Sequence, residues 1–97
     1  MRSELLNKYA LIKVHSIQTG EIQKISEGGP YYFIVKINKI GSGFASRDYI
    51  GDVIWYFEEN YNIIHFWKND IQFIIGDEEP TEKELENFDT VYPEYWI

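Results

Sequence analysis

Two histidines, His15 and His65, and a few adjacent carboxylates are the residues of this chain that could support catalysis or metal binding. A zinc site needs about three convergent N, O or S ligands, often as short-range pairs on one helix face. His15 and His65 have no such spacing. Each falls on an expected strand, which predicts ordinary sheet-face histidines and no metal or other cofactor. The neighbouring acids are Glu58-Glu59, at an expected turn, and Asp77-Glu78-Glu79, just past an expected strand. Glycoside hydrolysis needs two carboxylates facing each other across a cleft, one with a raised pKa. Adjacent acids in exposed turns are mostly solvated. Gly41-Ser42-Gly43 matches neither the phosphate-binding Gly-x-x-x-x-Gly-Lys nor the Gly-x-Ser-x-Gly of a nucleophile elbow. No catalytic residue is assigned, and the sequence predicts that the protein is not an enzyme.

The remaining chemistry is charge, and it is unevenly spread. Met1 to Gly76 holds eight acids and eight bases, whereas Asp77 to Ile97 holds eight acids and only Lys83. The formal net charge of −7 therefore belongs to the last 21 residues. Those residues also include Phe88, Tyr92, Tyr95 and Trp96. A purely solubilising tail carries few aromatics, so this one reads as a surface made to meet something basic. Nucleic acid and anionic membrane are poor partners, because phosphate neutralisation needs Lys and Arg clusters.

Ninety-seven residues, 44% of them hydrophobic, suffice for one core, so residues 1–97 are expected to form a single domain. Within it, 1–76 would be a charge-neutral β-rich core and 77–97 an acidic aromatic segment. With no cysteine, disulfides and thiolate sites are excluded, which fits a reducing cytoplasm. No stretch resembles a signal peptide or a membrane span, so a cytoplasmic location is expected. A domain of this size is marginally stable alone, and its aromatic excess would suit a homodimer.

Strand signals run from residue 9 to residue 75. Tyr9 to Ile17 alternates, with Ile12 and Val14 opposite Lys13 and His15. Thr19-Gly20 reads as a turn and Glu21 to Ser26 as a return strand. Gly28-Gly29-Pro30 breaks the pattern before Tyr31 to Ile40, where Phe33, Val35 and Ile37 oppose Lys36 and Asn38. Ser46 to Asn60 fits either a helix capped by Ser46 or a strand after Gly51-Asp52. The clustered Val, Ile, Trp, Tyr and Phe favour the strand. Ile63 to Lys68 and Ile71 to Ile75 flank Asn69-Asp70, which reads as a tight hairpin turn, with Ile71, Phe73 and Ile75 on one apolar face. Thr81-Glu82-Lys83-Glu84 is a capping box and predicts a short helix through about Phe88, with Leu85 and Phe88 toward the sheet. Pro93 stops any continuation, so the last residues are expected to be extended. The fold class is therefore α+β, mainly β: one antiparallel, curled sheet of five to six strands with a short C-terminal helix.

In size, acidity, aromatic content and lack of a catalytic motif, the chain resembles the small immunity proteins of bacterial toxin–immunity pairs, of the colicin and contact-dependent growth inhibition types. The resemblance implies an inhibitory binding protein whose acids cover the basic cleft of a cognate, nuclease-type toxin. Asp77, Glu78, Glu79, Glu82, Glu86 and Asp89 would supply charge, and Tyr92, Tyr95 and Trp96 buried contact area. Lasting inhibition needs a Kd near nanomolar, roughly −12 kcal/mol. Exposed charge alone does not supply that, so the aromatics are needed. Two alternatives use the same composition. One is a phage-type decoy that mimics nucleic acid, which would need acids spaced like phosphates along a face. The other is a non-catalytic β-rich structural or small-ligand module with an aromatic pocket.

Overall fold

The computed structural model describes residues 2–19, 23–25, 30–43, 47–56 and 61–87. Among the described residues seven strands form one sheet: β1 (Tyr9–Val14), β2 (Ser16–Gln18), β3 (Gln23–Ile25), β4 (Tyr31–Ile40), β5 (Tyr49–Tyr56), β6 (Ile63–Phe66) and β7 (Ile71–Gly76). Their order is β3-β2-β6-β5-β4-β1-β7, and every neighbouring pair is antiparallel. One short helix, α1 (Glu82–Glu86), follows. The mainly β, single-sheet class read from the sequence is thus observed, and Tyr49–Tyr56 is a strand, as its composition favoured.

The curl follows from connectivity. β1 and β2 are separated only by His15, yet β4, β5 and β6 lie between them in the sheet order. A flat sheet cannot bring its sixth strand and its second strand within one residue of each other. The sheet must wrap until the two meet, with β3 and β7 as its outermost strands among the described residues. The expected single strand Tyr9–Ile17 is therefore broken at His15, because its two halves serve opposite sides of the wrap.

Alternation then fills the inside. Ala10, Ile12 and Val14 of β1 cluster with Ile17 of β2, Phe33, Val35 and Ile37 of β4, Tyr49 of β5, and Ile64 and Phe66 of β6. Strands far apart in the order share this cluster, which places it on the concave side. Tyr49 stacks on Phe66 with ring centroids 5.8 Å apart. Gly51 lets the strands close there: a Cβ on it would lie 3.0 Å from Val35 Cβ and 3.1 Å from Phe66 Cε1. The outer face carries a second cluster, in which Leu85 of α1 packs with Leu11 and Ile34 beside Tyr32, Ile54, Trp55, Phe73 and Ile75.

Two local expectations are corrected. Ile63–Lys68 and Ile71–Ile75 do not form a hairpin, because β6 pairs with β5 and β2 while β7 pairs with β1. Lys68–Asp70 is a 3₁₀ turn that carries the chain across the wrap. The Trp67 N–H donates to Asp70 Oδ2 at 2.8 Å, and the Lys68 N–H to Asp48 Oδ2 at 2.8 Å. These bonds favour the compact turn over a two-residue reversal. The apolar face of β7 is also split. Register shifts against β1 send Ile71 and Ile74 inward, and Phe73 and Ile75 outward.

Candidate functional site

The acidic segment leaves the end of β7 and doubles back over the outer face of the sheet. Three features hold it. Lys8 Nζ, at the start of β1, lies 2.6 Å from Asp77 Oδ1, next to the Tyr9–Gly76 pairing. Pro80 is buried. The capping box read from the sequence is formed: the Glu84 N–H donates to Thr81 Oγ1 at 3.2 Å, and the Thr81 N–H to Glu84 Oε1 at 3.1 Å. Leu85 then pins the single helical turn onto Leu11 and Ile34. The helix ends at Glu86, with the Asn87 N–H returning to the Lys83 carbonyl at 3.2 Å.

On this mount Asp77, Glu78, Glu79, Glu82 and Glu86 are all exposed. Of these five, only Asp77 has an ion-pair partner among the described residues. Glu82 and Glu86 stand at i and i+4, where like charges repel and destabilise a helix slightly. Glu78, Glu79, Glu82 and Glu86 therefore do little for the chain's own stability. Asp77, Glu78 and Glu79 line a groove of roughly 460 Å³ with Ile75, Pro80 and Glu84. Glu84, which the sequence marks as a helix cap, also forms part of the groove wall. Asp89, Tyr92, Tyr95, Trp96 and the expected sheet contact of Phe88 lie outside the described residues, as does Glu58-Glu59.

A second charged cluster sits where the wrap closes. Arg47 is buried, in a left-handed backbone conformation with φ of 56°. Its Nη2 donates to Ser16 Oγ at 2.6 Å, and its Nη1 to the Ser16 carbonyl at 3.1 Å and the His65 carbonyl at 3.4 Å. The guanidinium thus ties the start of β2 to β6. Desolvation lowers the Arg47 pKa, an effect opposed by Asp70. Burial raises the Asp70 carboxyl, opposed by the Trp67 N–H, Arg47 and His15 and reinforced by Asp48. These contacts describe a clamp, since Ser16 Oγ is occupied as an acceptor for Arg47 and the exposed His15 stands at the bend. No sequence pattern marks Arg47, because its partners Ser16 and His65 are remote along the chain.

Of the residues with catalytic or metal-binding potential, His65 lies in β6 and is buried. Among the described residues, no group of three or more His, Asp or Glu could hold a metal ion. Among the same residues, no helix is long and apolar enough to cross a membrane. Of the aromatics, Tyr31 and Tyr49 belong to the core and Tyr61 meets Phe33 edge-on, whereas Tyr56 and Trp67 are exposed. Comparison of the chain with protein-family models, with curated proteins and with solved structures found no match in any of the three.

Proposed function

We propose that the protein is a non-catalytic inhibitor acting in the cytoplasm, an immunity protein that neutralises a cognate nuclease-type toxin by covering its basic active-site surface. The observation that carries this reading is the mounting of Asp77, Glu78, Glu79, Glu82 and Glu86. They are exposed on a segment fixed by a capping box and a buried leucine, and four of them have no cation within ion-pair distance among the described residues. A charged surface held in one conformation pays less ordering entropy on binding than a loose one does. It also steers a basic partner into productive encounter. The remaining 76 residues carry no net charge, so the field of the molecule comes from this end.

The test is capture from a lysate of the source organism, comparing the full chain with a variant carrying Asn or Gln at Asp77, Glu78, Glu79, Glu82 and Glu86. The expected result is a basic protein held by the parent and lost by the variant. Its nuclease activity should fall when the parent is added back. A captured partner that binds both forms equally, or is not inhibited, contradicts the proposal.

A further inference from the structure

The sheet is held together unevenly. β1 and β4 pair continuously from Tyr9–Lys36 to Val14–Tyr31, and β4 and β5 run together from Phe33–Tyr56 to Ile40–Tyr49. Across the seam that closes the wrap, the ladder between β2 and β6 has one pair among the described residues, Gln18 with His65. β2 pairs with β3 along its whole length, Ser16 with Ile25, Ile17 with Lys24 and Gln18 with Gln23. The two strands thus form a ribbon joined more firmly within itself than to the rest of the sheet. Side chains complete the seam. Arg47 donates to Ser16 Oγ and to the Ser16 and His65 carbonyls, and Ile17 is fully buried in the concave cluster with Ile64 and Phe66 of β6.

This ribbon hangs from a one-residue hinge. His15, which is exposed, is all that separates β1 from β2. Val14 and Ile17 are three positions apart, yet both belong to the concave cluster. In an uninterrupted strand such residues face opposite sides, so the bend at His15 is what turns Ile17 inward. The local sequence favours no bend, because residues 9–17 alternate as one strand with Ile17 on the side of Lys13 and His15. Fold and local preference therefore disagree at His15. A straightened hinge would carry the ribbon out of its own seam and leave a vacancy of defined chemistry. β6 would need a strand, Arg47 a hydroxyl and a carbonyl, and the concave core an apolar side chain. The same ribbon of another copy supplies all of them.

We infer that the β2–β3 ribbon exchanges between two copies of the chain, each inserting it into the seam of the other, to give a dimer in which β1 and β2 run straight through His15. The contacts of the seam are kept in the exchanged form, with Arg47 of one copy on Ser16 of the other. Only the hinge and the freedom lost when two copies join separate the two forms, so the dimer gains as protein concentration rises. Exchange is independent of the proposed acidic interface, whose carboxylates take no part in the seam.

The test refolds the full chain from urea at low and at high protein concentration, in moderate salt, and reads its mass by sedimentation velocity. A monomer is expected at low concentration and a dimer at high concentration. Gln18→Cys combined with His65→Cys then places one thiol on each side of the seam, in a chain with no other cysteine. Paired strand residues lie about 4.5–5.5 Å apart at Cα, within disulfide range. Refolded reduced and then oxidised, this variant should give chains bridged to themselves at low concentration and chains bridged to each other at high concentration, on a non-reducing denaturing gel. Insertion of Gly-Ser-Gly after His15 lets the ribbon close on its own chain without a one-residue bend, and should weaken dimerisation about tenfold or more. Should the cysteine variant fail to fold, the insertion decides. Monomer at every concentration overturns the inference. A dimer whose cysteines bridge within each chain, or one that the insertion leaves equally stable, forms through another surface and overturns it as well.

Discussion

The corner of the sheet and the acidic segment use charge in opposite ways. At the corner, Arg47 is buried and spends its donors on Ser16 and His65, joining two strands that the order of the sheet separates. In the segment from Asp77 to Glu86 five carboxylates are exposed and four of them are unpaired among the described residues, while the Lys8–Asp77 pair, the Thr81–Glu84 box and buried Leu85 do the anchoring. Removing charge from the first region should cost stability and leave binding rates alone. Removing it from the second should do the reverse.

The largest effect expected lies beneath both regions. Phe33→Ala would open the concave core at a fully buried aromatic and should destabilise the fold by about 3–5 kcal/mol, measured by urea unfolding. Arg47→Met keeps much of the packing but leaves the Ser16 and His65 carbonyls without their charged donor. A loss of about 2–3 kcal/mol is expected. An unchanged unfolding midpoint would mean the wrap closes without the clamp. Leu85→Ala should cost about 2 kcal/mol or less in global stability, because the helix it anchors is one turn long. Its sharper readout is local: faster exchange of the Glu84 and Leu85 amides and slower partner association. If exchange is unaltered, the acids are held by something other than Leu85.

A smaller effect separates the regions by pH. Burial raises the Asp70 carboxyl above its ordinary value of 3.8, so in the intervening window the folded chain binds this proton more readily than the unfolded chain. The associated stability is fully present below 3.8 and is lost as pH rises through the raised folded value. Asp70→Asn should therefore flatten the part of the stability–pH curve just above the ordinary carboxylate range. If the slope there is unchanged, groups other than Asp70 carry it.

Local features were legible in the sequence, and long-range ones were not. The Thr81–Glu84 box is a contact between residues three apart, and its four letters specify it. The faces of Tyr31–Ile40 follow from period-two alternation, and the charge division between residues 76 and 77 needs only counting. The Asn69-Asp70 turn was legible as a turn, but which strands it joins depends on partners in β1 and β5 far along the chain. The split face of β7 arises from register shifts that belong to the pairing with β1. Arg47 stands in a loop beside glycines and serine, where an arginine ordinarily meets water. Only the wrap brings Ser16 and His65 to it.

The most direct test of the division is the association rate of the captured partner with Glu82→Lys and with the parent chain, by stopped flow at low and moderate salt. Glu82 is exposed and lies outside the capping bonds, so the fold should stay within about 0.5 kcal/mol of the parent. The expected result is a slower association for the variant, with the gap narrowing as salt is added. Equal rates at both salt concentrations would contradict the assignment of the acidic segment as the surface that meets the partner.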